Sequence, residues 1–247
     1  MELVELWLMG DSEDDDVLFR YIQDVAVDSR NRVYAADFGH KALSVFSDTG
    51  ALLLEIGRAG RGPGEFESVN DVFVGAADTI FVWDFNQRRV STFAPDGYGI
   101  VETVAVQGGL NTIPRYLIGV TPDAFVFGYM YGLEDGEDNQ ATRGVDVHLV
   151  DRKSGEILDH QALARFPDMS QLVDERKDGS ISVSRMPFRG EPQLDVSLKG
   201  HIYLAHDEAS TVAVASAEGV ALDTIKWSLD PVPVLSLIHI SEPTRPY

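Results

Sequence analysis

The stretch that decides the fold is Asp24–Gly57, which reads DVAVDSRNRVYAADFGHKALSVFSDTGALLLEIG. It contains four short apolar or alternating segments separated by turns rich in Gly, Asn and Asp, as expected for consecutive β-strands. An offset of 47 residues reproduces the pattern, because it places Asp24 on Asp71. The same offset relates Asp37 to Asp84. A period of this length indicates a repeat architecture.

Two looser copies follow, one beginning YLIGVTPDAFVFGYMYG (116–132) and one beginning LDVSLKGHIYLAHDE (194–208). The second strand of each copy (VYAA, IFVW, AFVF and IYLA) is apolar on both faces, so it needs a covering layer on each side. Stacked four-stranded meanders of about 45 residues meet that need as propeller blades. The turns SDTG, APDG, RKSG and SAEG all close on Gly, which suits tight hairpins. The sequence therefore predicts an all-β propeller. A β-sandwich is the alternative, but it gives no reason for the period.

The same residues resemble a known family. The run from Asp24 to Gly50, followed by GRAGRGPGEFESVNDVFV (57–74), resembles NHL-type repeats of six-bladed β-propellers. The shared features are a Gly-rich, Phe-containing linker before a first strand and an Asp that closes the second strand, here Asp37 and Asp84. The resemblance implies a six-bladed ring of four-stranded antiparallel blades, of which this chain would hold about four and so be incomplete. It implies a fold and leaves the activity open.

This interpretation divides the chain into a partial propeller, 1–234, and a tail, 235–247. The expected segments are a lone outer strand of the missing last blade at 1–10, blade 1 at 17–57, blade 2 at 70–107, blade 3 with an insert at 116–165, and blade 4 at 192–230. Within the tail, LSLIHISEPTR (235–245) resembles a translated sequencing-library adapter, so we expect the tail to be an artefact. A genuine polar tail after Pro231 and Pro233 is the alternative.

Composition excludes several classes of function. The 247 residues include 40 Asp and Glu against 20 Lys and Arg, giving a formal net charge of −20. Such a charge opposes nucleic-acid binding and docking on anionic membranes. No apolar run is long enough for membrane insertion. The absence of Cys excludes disulfides, thiol catalysis and Cys-ligated zinc. The acidic surface and the family resemblance favour a periplasmic, cell-envelope or secreted location, with any signal peptide absent from this chain.

Strand parity indicates where a binding surface would lie. In a meander of four strands, the second–third turns and the links between blades share one end. The long segments 57–70, 131–144 and 166–191 all fall at that end, and insertions gathered on one face are typical of a binding face. The candidate binding residues there are Arg61, Arg88, Arg115, Tyr131 and Arg189.

No catalytic or metal-binding pattern stands out. Asp37 and Asp84 recur at the repeat phase, which favours a structural role in accepting backbone N–H groups. Adjacent residues on a strand point to opposite faces, so His206-Asp207-Glu208 is a poor chelate. We therefore expect no metal, no cofactor and no catalytic residue.

These observations predict a non-catalytic binding or scaffold module for a protein, peptide or glycan. The alternative is a propeller enzyme, of the metal-dependent lactonase or lyase type, acting at the central channel. First-strand positions expected to line that channel are mainly apolar or small, which favours the binding module. They are Val25, Val27, Val72, Val74, Leu117 and Gly119.

Overall fold

A computed structural model describes residues 19–109, 112–135, 140–159, 161–175, 181–185, 192–197, 199–206, 210–218 and 220–228. These residues form four antiparallel β-sheets that follow one another along the chain. The described part contains no α-helix, only a short 3₁₀ turn at Ala76–Asp78. The predicted all-β propeller fold is confirmed.

Each sheet is a blade whose strands pair in chain order. Blades 1 and 2 consist of β1 (Ile22–Val27), β2 (Val33–Asp37), β3 (Ala42–Phe46), β4 (Leu52–Ile56), β5 (Asp71–Val74), β6 (Ile80–Asp84), β7 (Arg89–Phe93) and β8 (Ile100–Ala105). Blades 3 and 4 consist of β9 (Thr112–Val120), β10 (Ala124–Asp135), β11 (Gln140–Asp151), β12 (Ala164–Glu175), β13 (Ile181–Arg185), β14 (Pro192–Val196), β15 (Ile202–His206), β16 (Thr211–Ala215) and β17 (Ala221–Lys226).

Blade 3 differs from the expected four-stranded meander. Its sheet begins at Thr112, and a fifth strand, β13, pairs along the edge of β12 and ends at Arg185. The expected range was 116–165. Its strands β10, β11 and β12 are each 12 residues long, against five residues in the second and third strands of blades 1 and 2. The polar insert predicted in this blade thus belongs largely to extended strands.

The first strands of the blades lie side by side around a shared channel. β1 contacts β5, β5 contacts β9, and β9 contacts β14. Gly119 permits the last of these contacts, because a Cβ there would come within 2.4 Å of the Cβ of Val196. The channel therefore depends on close backbone approach between neighbouring blades.

Three apolar cores lie between successive blades. The first joins Tyr34 and Val45 of blade 1 to Val72 and Ile80 of blade 2. The second joins Trp83 of blade 2 to Phe125 and Phe127 of blade 3, and the third joins blade 3 to blade 4 around Ile202. All five residues of β6 are buried, because this strand is covered on both faces. The prediction that a second strand without a polar face is covered on both sides is thus confirmed for β6.

Asp37 and Asp84 are structural, as their recurrence predicts. Both are fully buried, and the Asp84 carboxylate accepts hydrogen bonds from the Glu67 backbone N–H (2.7 Å) and the Ser68 hydroxyl (2.8 Å). Asp37 accepts backbone N–H groups from Arg20 (2.9 Å) and Tyr21 (3.1 Å) in the same way. Each carboxylate therefore fixes the chain that enters its own blade.

Candidate functional site

The candidate site lies at the end of the propeller where the first strands begin. Asp71 at the start of β5 pairs with Trp83 near the end of β6, so the second–third turns share this end with the links between blades. We call this end, with the link 57–70 and the β6–β7 turn 85–88, the end face. The opposite end carries hairpins in which Gly50, Gly97 and Gly155 adopt positive φ, as predicted for the short turns.

A cavity of about 640 Å³ occupies the channel between the first strands. Val25, Val27, Val72, Val74 and Leu117 line it, as the sequence analysis expects. Gly119, expected there as well, is not among the lining residues and packs against Val196 instead. Three carboxylates and two amides also line the cavity, which corrects the interpretation of the channel as mainly apolar. They are Asp24, Asp71, Asp195, Gln23 and Gln193.

Two of these carboxylates connect one blade to the next. The Asp24 carboxylate of blade 1 accepts a hydrogen bond from the backbone N–H of Val72 in blade 2 (2.9 Å). The Asp71 carboxylate of blade 2 accepts one from the backbone N–H of Leu117 in blade 3 (2.8 Å). The two contacts are equivalent, because both Asp residues occupy the same position in the repeat. They hold the channel mouth together.

Burial raises the pKa of both groups. At Asp71, burial is the largest effect, the hydrogen bond from Leu117 opposes it, and the charge of Asp24 adds to it, so that the pKa rises to about 7. The Arg115 guanidinium acts in the opposite direction and lowers the pKa of Asp71. At Asp24, burial outweighs the two backbone hydrogen bonds and also raises the pKa. Asp71 is thus a carboxyl group that exchanges a proton near neutral pH.

Arg115 joins the channel mouth to the end face. Its guanidinium carbon lies 4.6 Å from the centroid of the Phe85 ring and 5.4 Å from that of Tyr116. Its backbone carbonyl accepts a hydrogen bond from the Trp83 indole N–H (3.1 Å). The predicted residue Arg115 is therefore held over an aromatic ring of blade 2 and beside Asp71.

Arg61 and Arg88 lie around the same β6–β7 turn. The Arg61 carbonyl accepts a hydrogen bond from the Arg89 guanidinium (3.1 Å), so the link 57–70 packs against the start of β7. The exposed guanidinium of Arg61 pairs with Glu67 (2.7 Å). Arg88 ends the turn with a φ of 50°, and its carbonyl accepts the backbone N–H of Val106 (2.8 Å). The structure thus brings three of the five predicted residues to one turn.

The other two predicted residues have different outcomes. Tyr131 lies on blade 3, where the guanidinium carbon of Arg165 is 4.6 Å from its ring centroid. A Cβ at Gly144 would overlap the Tyr131 hydroxyl, so the absence of a side chain there makes room for the ring. Arg189 lies outside the described residues.

Aromatic side chains on the end face follow the two structural aspartates directly. Phe38 comes after Asp37, is exposed, and meets the exposed ring of Tyr21 edge-on at 6.3 Å. Phe85 comes after Asp84 and supports Arg115. The dipeptide Asp-Phe at both repeat positions is a sequence signal for this aromatic surface that our residue predictions did not use.

The channel carboxylates are candidate site groups that the sequence analysis did not include. Asp24 and Asp71 mark the repeat period in the sequence, and that recurrence could have suggested a shared place at the channel. Among the described residues, no group of three or more His, Cys, Asp or Glu side chains is close enough to hold a metal ion. The predicted His206-Asp207-Glu208 side chains lie outside the described part. None of the described helical segments is long and apolar enough to cross a membrane.

One comparison with known proteins bears on the architecture. A family model described as a 6-bladed beta-propeller matches residues 13–159. No curated protein matches the chain. Similar solved structures include virginiamycin B lyase from Staphylococcus aureus (10% identity, 83% of this chain and 69% of that chain covered, TM-score 0.41) and a nidogen/laminin complex (15%, 83% and 80%, 0.42). Another is AztD from Citrobacter koseri (14%, 86% and 48%, 0.43). These likenesses are too low to indicate a function, and the NHL-type resemblance and the interpretation of the tail stay predictions.

Proposed function

This chain belongs to the 6-bladed beta-propeller family, and from that premise we propose that it is a non-catalytic binding or scaffold module. It recognises a protein, peptide or glycan through the loops of the end face. The proposed binding residues are Arg61, Arg88, Arg115, Tyr131 and Arg189.

The observation that carries this proposal is the arrangement around the β6–β7 turn. The Arg115 guanidinium lies over the Phe85 ring, and Arg61 and Arg88 flank the same turn. Arginine and aromatic side chains are enriched in the energetically dominant parts of interfaces, because they combine a large contact area with directed hydrogen bonds. Stacking on Phe85 also fixes the guanidinium before a partner arrives, which lowers the entropy cost of binding.

Charge supports the same surface. The chain carries a net charge of −20, and the three arginines at this turn offset part of it locally, with Arg61 beside Glu67 and Arg115 beside Asp71. Arginines placed in this way steer and orient an acidic partner more than they add raw affinity. The exposed Tyr21 and Phe38 extend the aromatic surface towards blade 1. A partner with acidic and apolar groups fits both features.

A binding screen with matched variants tests the proposal. The full chain is screened on a glycan array and against a peptide library, and each hit is measured again with the triple variant R61A/R88A/R115A. We expect the triple variant to lower affinity by at least about tenfold, since each removed arginine at a contact costs on the order of 1 kcal/mol.

The matched control is Arg30→Ala, which removes an exposed arginine from the β1–β2 turn at the opposite end of the blades. It should leave the affinity unchanged. A screen that finds no ligand, or a ligand whose affinity falls equally in R30A and in the triple variant, would count against binding at the end face.

One observation favours the alternative, a propeller enzyme of the metal-dependent lactonase or lyase type. Asp71 lies in the channel with a pKa raised to about 7, mainly by burial, and a carboxyl group with such a pKa suits proton transfer at neutral pH. Asp24 and Asp195 line the same cavity.

Titration calorimetry with Ca²⁺, Mg²⁺, Mn²⁺ and Zn²⁺ distinguishes the alternative from the binding module. An enzyme of this type is expected to bind one of these ions, and the affinity should fall in both Asp24→Asn and Asp71→Asn. Heat signals that are the same in the wild-type chain and in both variants would place metal binding, if any, outside the channel.

A further inference from the structure

A second cavity, of about 700 Å³, lies apart from the channel, between the link that joins blades 2 and 3 and the outer strands of blade 3. Its size falls in the range of about 300–1,000 Å³ that is usual for small-molecule pockets. We call it the blade 3 cavity. It is lined by Gln107, Gly108, Gly109, Thr112, Asp146, His148, Glu156, Ile157 and Arg165.

The most buried polar groups of this cavity are Asp146 and His148, neighbours on one face of β11. The Nδ1 atom of His148 lies 3.2 Å from the carbonyl oxygen of Asp159. A carbonyl only accepts hydrogen bonds, so Nδ1 carries the proton and Nε2 of the neutral ring is an acceptor. The ring of His148 meets Tyr129 edge-on at 5.4 Å, which holds its orientation.

The position of Nε2 is the first sign of a ligand site. The residue is only 6% exposed, and within the described part of the chain Nε2 has no hydrogen-bond partner. Tyr129 supports the ring from behind, and its own hydroxyl donates to the Gln107 carbonyl (2.8 Å), which also fixes the link over the cavity. A fixed acceptor at the wall of an open cavity is suited to a donor from a ligand.

The side chains of Arg165 and Asp146 at the rim of the blade 3 cavity are also held in place. The Arg165 guanidinium makes two hydrogen bonds to the Asp146 carboxylate, at 2.7 and 2.8 Å, and lies over the Tyr131 ring. The bidentate pair neutralises both charges within the cavity wall. Glu156 and Thr112 complete the rim with a carboxylate and a hydroxyl.

These groups select a chemical class. With Arg165 and Asp146 paired, Glu156 leaves the wall with a negative charge, which opposes phosphate and carboxylate ligands. Glu156 and His148 supply hydrogen-bond acceptors to the cavity, and Thr112 and Gln107 supply donors. A neutral ligand that both donates and accepts hydrogen bonds therefore fits this lining. Sugar hydroxyl groups do both. We propose that the blade 3 cavity binds a neutral sugar residue.

This site does not rest on the proposed function of the end face, because it uses none of Arg61, Arg88 and Arg115. The two proposals can therefore fail separately. Loss of binding in the R61A/R88A/R115A variant concerns the end face only, whereas the variants below concern the blade 3 cavity only.

The experiment follows the His148 ring signals by NMR in the full chain. The probes are glucose, galactose, mannose, N-acetylglucosamine, maltose and cellobiose, each added up to about 20 mM, which detects the millimolar affinities that a few hydrogen bonds supply. At least one sugar should shift the His148 signals in a saturable way. Absence of any shift with all six sugars would overturn the proposal.

Two rim variants and a control make the test specific. Glu156→Ala and Thr112→Val should each weaken the sugar by roughly tenfold, since each removes one hydrogen-bonding group at the rim. The control Glu102→Gln changes an exposed acid on β8 of blade 2 and should leave binding unchanged. Equal affinity in E156A, T112V and the wild type would contradict the proposal. So would inorganic phosphate that binds more tightly than any of the sugars.

Discussion

Blades 1 and 2 present the same residues at the same positions of their first strands, yet these residues differ in burial. Val25 pairs with Ala35 as Val72 pairs with Val82, but Val25 is 57% exposed and Val72 is 5% exposed. At the next equivalent position, Val27 is 56% exposed and Val74 is 8% exposed.

The difference comes from the neighbouring blade. Val72 and Val74 of blade 2 lie in an apolar core to which blade 1 contributes Tyr34 and Val45. No described blade covers the corresponding face of β1. Burial of a first-strand valine is therefore a property of the blade beside it, and the strand sequence alone does not determine it.

The structural aspartates mark where the two blades are alike, and their removal is expected to have a large effect on stability at any pH at which the chain folds. Asp37→Ala and Asp84→Ala should each lower the free energy of unfolding by about 3 kcal/mol, because each carboxylate is buried and the donors that it accepts would be left unpaired. Urea unfolding followed by circular dichroism measures both.

Asp123→Ala, at the exposed β9–β10 turn, is the matched control and should change the stability by less than about 0.5 kcal/mol. If D37A and D84A differed by more than their errors, or if either matched D123A, the equivalence of the two blades would fail.

Val72 and Val25 occupy equivalent positions of blades 2 and 1, so their substitution tests whether burial differs between the two blades. Val72→Ala should cost about 2 kcal/mol, because it removes buried methyl groups and leaves a cavity between blades 1 and 2. Val25→Ala should cost less than about 0.5 kcal/mol, because the side chain is already exposed. Urea unfolding followed by circular dichroism measures both losses of stability. Equal losses would mean that the face of β1 is covered as well as that of β5.

The channel carboxylate gives an effect on stability that depends on pH. Since the pKa of Asp71 is raised from 3.8 to about 7, mainly by burial, the folded chain binds this proton more tightly than the unfolded chain. The resulting stability is complete below pH 4 and is lost as the pH rises through 7. Asp71→Asn should therefore be more stable than the wild type at pH 8, by up to about 4 kcal/mol, and equal to it near pH 4.

Thermal melts of both proteins between pH 4 and 8 test this prediction. Asparagine keeps a carbonyl that accepts the Leu117 N–H, so the fold is preserved. A difference between the two proteins that does not change with pH would show that the charge of Asp71 costs nothing in the channel.

The sequence predicts the features that recur in each repeat and those set by neighbouring residues. The strand order, the Gly turns and the structural roles of Asp37 and Asp84 follow from the period and from residue types. The meeting of Asp24, Asp71 and Arg115 does not, because it depends on how one blade stacks on the next. The fifth strand of blade 3 and the pairing of Arg165 with Asp146 likewise arise from long hairpins that have no counterpart in the other blades.

The most direct test of the channel mouth is the pKa of the Asp71 side-chain carboxyl, measured by carbon-detected NMR in three proteins. We expect a value near 7 in the wild type, a lower value in Asp24→Asn, which removes a like charge, and a higher value in Arg115→Ala, which removes an opposite charge. A value near 4 that neither substitution changes would contradict the account, because it would mean that these three side chains do not meet at the channel.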